Sequence, residues 1–114
     1  MDLMDDKIQA YKNEITELGK TLPEVADAYH QFTGECFGPG SLDAKTKQLI
    51  ALGISLAANN EICTYYHVNE ARSKGATDQD IIETVAVAGA VGAGHAFSQG
   101  LTRIQHSFQS PPIQ

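Results

Sequence analysis

The sequence predicts an all-α domain, a helical bundle of about six helices. Three observations carry that reading. Apolar residues recur at three- and four-residue spacing along several stretches. No stretch sustains the period-two alternation that a half-buried strand needs. Proline, glycine and Asx or Thr signals cut the chain into segments of helical length. At 114 residues the chain is expected to form one domain, residues 1–110, large enough to bury a core without disulfides or metal. Residues 111–114 follow Ser110 as a loose tail opened by Pro111-Pro112.

The first helix is expected over residues 4–19. Ile8, Tyr11, Ile15 and Leu18 form its apolar stripe and Gly19 marks its end. Pro23 suits the first turn of a second helix, which carries Val25, Ala28, Tyr29 and Phe32 and stops by Gly34. Phe37-Gly38-Pro39-Gly40 is a break. Ser41 or Asp43 can cap a third helix running through Leu49 to Ala58. Its tail is apolar nearly all round, which suits a central, mostly buried helix. Asn59-Asn60 ends it. A fourth helix starts at about Glu61 and closes at Gly75, with Arg72 and Lys74 where cations suit the dipole. Thr77-Asp78-Gln79-Asp80 is a variant capping box, with Asp80 in place of Glu or Gln, and opens a fifth helix. Gly89, Gly92 and Gly94 each cost roughly 1 kcal/mol relative to Ala in a helix, so close helix–helix approach, within or between subunits, is their expected compensation. His95 then starts a last helix bearing Phe97, Leu101, Ile104 and Phe108.

Composition narrows the function. A net charge of −6 with scattered Lys and Arg offers no phosphate footprint, so no nucleic acid is expected. The longest apolar run, residues 81–93, contains Glu83 and is too short to span a bilayer, so no membrane is expected either. The acidic N-terminus has no apolar signal region, and two cysteines make no disulfide framework, which points to the cytoplasm. The four histidines are dispersed with no zinc-type cysteine pairs, so neither metal nor cofactor is expected.

The chemistry concentrates in Asn60-Glu61-Ile62-Cys63-Thr64-Tyr65-Tyr66-His67. Cys63 and His67 are four residues apart, on one helical face. Cys63 falls near a helix start, where unpaired N–H groups and the macrodipole favour a thiolate. His67 can serve that sulfur as base, proton carrier or orienting partner. Against this stands free cysteine's habit of acting as a small buried hydrophobe. Cys36 is either a core residue or a second thiol. Tyr65 and Tyr66 suit packing, Glu70 could orient His67 or stay solvated, and His30 and His95 have weaker claims to a site.

Gly40-Ser41-Leu42-Asp43-Ala44-Lys45-Thr46-Lys47-Gln48-Leu49-Ile50-Ala51-Leu52, with Cys63-x3-His67, Gly75-Ala76-Thr77 and Ile81-Ile82-Glu83, resembles the carboxymuconolactone decarboxylase-like family, and within it the alkyl hydroperoxidase D-like branch. That resemblance implies an all-α bundle with a helix-turn-helix core and a peroxiredoxin-type antioxidant oxidoreductase. The branch pattern is a glutamate, then Cys-x-x-Cys, then a histidine. On this chain the second cysteine is Cys63 and the histidine is His67. Gln48 stands at the glutamate position and Asn60 at the first cysteine. A Cys-x-x-Cys pair cycles between dithiol and disulfide, which Asn60 cannot do, and Gln48 cannot titrate.

Three uses therefore stand open. One is a thiol-dependent peroxidase built on the single Cys63–His67 pair, resolved by Cys36, a small thiol or a partner. Another is a non-redox decarboxylase-like enzyme or small-molecule binding protein, with Gln48, Asn60, Tyr66 and His67 lining a polar pocket. The last is an assembly-only protein. The expected partners are a hydroperoxide or small organic acid, a thiol reductant, and further copies of the chain, as the family's trimers and hexamers imply.

Overall fold

The computed structural model describes residues 2–114, so Met1, the first residue of the expected domain, lies outside the described residues. Five helices follow one another: α1 Leu3–Thr21, α2 Pro23–Phe37, α3 Ala44–Ala57, α4 Glu61–Ser73 and α5 Asp78–Ser107. There is no strand among the described residues.

Local chemistry sets most of the boundaries. Asp2, Asp43 and Asn60 each accept a backbone N–H from the first turn of the helix they cap. Thr77 and Asp80 form the expected reciprocal capping box at the start of α5. Two helices end in the same double-bonded turn. At the end of α3, Asn59 takes φ 54°, and the N–H groups of Asn60 and Asn59 reach the carbonyls of Ser55 and Leu56. At the end of α4, Gly75 takes φ 94°, and Ala76 and Gly75 bond back to Ala71 and Arg72.

Three boundaries differ from the sequence reading. α1 runs through Gly19, whose open face lets Ala26 of α2 approach it. α2 passes Gly34 and stops at Phe37, held there by Lys47, whose Nζ donates to the carbonyls of Cys36 at 3.0 Å and Gly38 at 2.5 Å. α2 has no basic residue in its own last turn, so α3 supplies the cation that its dipole favours. The expected fifth and sixth helices are one continuous helix of 30 residues, which reduces the count from six to five. Gly89, Gly92 and Gly94 do not break it, because the Ala-rich sequence around them is strongly helix-forming. His95 is consequently a mid-helix residue, not a helix start.

Packing centres on α3, which contacts α4, α5 and, more lightly, α2, while α1 bridges α2 and α4. The core is small: Ile8, Ala26, Ala51, Leu52 and Ala71, with Gln48 and Ser55 as buried polar residues. The Ser55 hydroxyl is satisfied by the Ala51 carbonyl at 2.8 Å. The expectation that α3 is buried on most sides holds for the Leu52 face only, since Ile50 and Ile54 are exposed. Val25 and Phe32 of the α2 stripe also face outward, because α2 packs on α1 through its Ala26 side, while the half-exposed Tyr29 turns toward the α1 side.

No residue of α5 is buried, and a methyl group placed on Gly89, Gly92 or Gly94 would meet no other part of the described chain within 4 Å. The radius of gyration is 19.2 Å, against about 13 Å for a compact chain of this length. Fusion also overturns the run-length argument about membranes: α5 is long and apolar enough, by length and composition alone, to cross one.

Candidate active site

The turn between α3 and α4 places the reactive residues. Asn60 closes the end of α3 through its own N–H and caps α4 with its side chain, its Oδ1 accepting from the Cys63 N–H at 2.9 Å. Asn60 is therefore a helix cap and lies outside the pocket lining. Cys63 and His67 lie in the first and second turns of α4, and both line a pocket of about 570 Å³. The second turn of α3 brings in Gln48, only 6% exposed. Its Oε1 lies 2.7 Å from His67 Nδ1. With the amide oxygen accepting, Nδ1 carries the proton and Nε2 is left as the free acceptor.

Aromatic rings fix the imidazole. Phe37 stacks on it with centroids 5.6 Å apart at 17°. Tyr66 meets it edge-on at 5.3 Å, and Tyr11 meets Tyr66 edge-on at 6.5 Å. Burial lowers the pKa of His67, with the nearby Glu70 carboxylate opposing that shift. His67 is thus poised as a neutral base rather than a standing imidazolium. Burial raises the pKa of Tyr66. It also raises that of Tyr11, where the neighbouring Tyr29 and Cys63 add to the effect, so both phenols stay protonated.

The candidates from the sequence are thus partly united. Gln48, Cys63, Tyr66 and His67 share the pocket. Cys36 does not line it; both cysteines are free thiols and Cys36 is exposed on the last turn of α2. Glu70 holds Lys74 at 3.3 Å rather than the imidazole. Tyr65 and His95 lie outside the pocket lining, whereas His30 is part of it.

Sequence reasoning missed the far wall. Tyr11, Lys12 and Ile15 from α1 and Tyr29 and Thr33 from α2 complete the pocket. The signal available was the α1 stripe itself, in which Tyr11 is the one polar-tipped member.

The chain and its fold have known relatives. The family model for the carboxymuconolactone decarboxylase family matches residues 23–105. An uncharacterized protein of the cox locus in Paracoccus denitrificans is 33% identical over 97 residues, 85% of each chain. A crystal structure of a carboxymuconolactone decarboxylase family protein from Legionella pneumophila superposes with a TM-score of 0.78 at 23% identity, covering 87% of this chain and 88% of that one. A Thermotoga maritima member of that family, described with a possible antioxidative role, superposes with a TM-score of 0.65 at 24% identity, covering 94% and 99%. With its five-helix fold and a family match that spans α2 to the last turn of α5, this chain belongs to the carboxymuconolactone decarboxylase family.

Proposed function

We propose that the protein is a one-cysteine thiol peroxidase of the alkyl hydroperoxidase D-like type. The observation that carries this reading is the Gln48–His67 hydrogen bond. It orients the imidazole with Nδ1 on the amide oxygen and Nε2 left for the substrate side, one helical turn from the Cys63 thiol. In the reaction, His67 Nε2 takes the thiol proton, and Sγ attacks the terminal oxygen of a hydroperoxide ROOH. The O–O bond breaks, and the leaving alkoxide takes the proton back from His67. The products are Cys63 sulfenic acid and ROH. A low-molecular-weight thiol then attacks the sulfenic sulfur, releasing water and forming a mixed disulfide. A second thiol releases the symmetrical disulfide and regenerates Cys63. Gln48 supplies orientation in place of a titrating carboxylate. The exposed position of Cys36 outside the pocket favours an external thiol over Cys36 as the resolving group, and a reducing cytoplasm would supply it.

The test is thiol-dependent consumption of cumene hydroperoxide with dimedone trapping of the sulfenic acid. Turnover and the Cys63 adduct are expected in the wild type and in Cys36→Ser, and both vanish in Cys63→Ser. A wild type that consumes no peroxide and forms no adduct sinks the reading. The runner-up, a non-redox enzyme or binding protein, is favoured by Asn60 serving as a helix cap and by Gln48 being unable to titrate. It is distinguished by ligand binding that Cys63→Ser leaves unchanged.

We also propose that the protein works as a homo-oligomer, a trimer or hexamer. The support is the row of exposed large apolar residues on α3 and α5, among them Ile50, Ile54, Val87 and Val91. Light scattering in detergent-free buffer is expected to give a multiple of the chain mass. A monomer, or a protein that pellets with membranes, counts against it.

A further inference from the structure

Of the eight Lys and Arg side chains, five meet a carboxylate: Lys7, Lys20, Lys45, Arg72 and Lys74. Lys47 is held by two backbone carbonyls. Among the described residues, only Lys12 and Arg103 meet neither, and Lys12 lines the Cys63–His67 pocket while Arg103 lies on α5. The pocket is unusual for an acidic chain. With 14 Asp and Glu residues against eight Lys and Arg, its lining contains no carboxylate at all. What it offers instead is a set of aromatic walls, Tyr11, Tyr29, Phe37 and Tyr66, with Lys12 as the one Lys or Arg in its lining. Its volume, about 570 Å³, lies within the usual range for small-molecule sites.

We propose that Lys12 is a specificity-determining residue that selects small organic monoanions: an aromatic or branched apolar body lies against the tyrosines while one carboxylate meets the ammonium. A single free cation suits one negative charge. The two arginines cannot add a second, since Arg72 is engaged by Asp78 at 3.2 Å and neither lines the pocket. Lys12 belongs to α1, which lies outside the segment matched by the family model, so this preference is carried by a part of the chain that the family pattern does not describe. The proposal rests on the pocket being the working site.

The experiment compares binding of benzoate and of benzamide, its neutral analogue, by ligand-observed NMR at low and high salt. Wild type and Lys12→Arg are expected to bind benzoate roughly fivefold tighter than benzamide, as a partly solvated charge-assisted contact allows. The preference shrinks with salt. It disappears in Lys12→Gln and survives in Arg103→Gln. Equal binding of the two probes, binding of neither, or a preference unmoved by Lys12→Gln overturns the proposal. The readout does not use the thiol. A Lys12-dependent preference in a protein inert to hydroperoxide would remove the peroxidase reading and keep this one. Peroxide turnover without that preference would do the reverse.

Discussion

The pocket on the α4 side of α3 and the groove on its α5 side are of similar size, about 570 and 490 Å³, and they share one helix. Gln48, Leu52 and Ser55 face inward, with the Gln48 amide oxygen and the Ser55 hydroxyl bonded within the chain. Ile50, Gly53, Ile54 and Ala57 line the other side, where Val87, Ala88 and Val91 of α5 form an apolar wall beside Glu83 and Thr84. The first cavity is furnished with a cysteine, an imidazole, an amide and phenols. The second has Glu83 and two threonines as its only polar lining. The same helix therefore carries two kinds of surface: one that positions chemistry and one that would gain by being covered. Burial within a single chain accounts for the first and leaves the second open.

Truncation on the two faces should separate them most sharply. Leu52, 1% exposed, should lose about 2–5 kcal/mol in Leu52→Ala, read by urea unfolding. Ile54 is 65% exposed. Ile54→Asp should leave the isolated chain's stability almost unchanged but dissociate the proposed oligomer in light scattering and make unfolding independent of protein concentration. An equal loss at both sites would erase the distinction between the faces.

On the pocket side, Gln48→Leu removes the acceptor for His67 Nδ1. Leaving that half-buried N–H unpaired should cost about 1–3 kcal/mol, and peroxide turnover should fall with it. Asn60→Ala should cost about 1 kcal/mol through loss of the α4 cap, whereas Asn60→Asp should retain most of it. The smallest effect is the pH dependence. Burial lowers the His67 pKa, so the folded state binds fewer protons there than the unfolded chain. That contribution to stability is complete above the unfolded histidine value of about 6.5 and is lost as pH falls through the lowered folded value. Urea midpoints across that window should show the slope in wild type and lose it in His67→Gln.

Much of this was legible in the sequence, and the failures have identifiable causes. Caps are local, so the Thr77–Asp80 box, the Gly75 stop and the Asn59-Asn60 turn could be read from a few neighbouring residues. The placement of Cys63 and His67 on one face followed from their spacing. The Gln48–His67 bond could not, because it joins two helices whose rotation about their axes depends on packing. The outward Val25 and Phe32 failed for a similar reason: an apolar stripe says that a face wants cover, not that its own chain supplies it. The three α5 glycines misled only as a helix boundary, because the Ala-rich sequence around them keeps one helix running.

Asn60 has one further consequence. It is at once the last bonded residue of the α3 turn and the cap of α4, so the connection contains no slack. Each residue advances a helix by about 100°. A single-residue insertion between Ala58 and Asn60 would therefore turn the whole of α4 like a misaligned key. His67 would swing away from Gln48 while every helix survived, leaving a folded protein with its lock jammed.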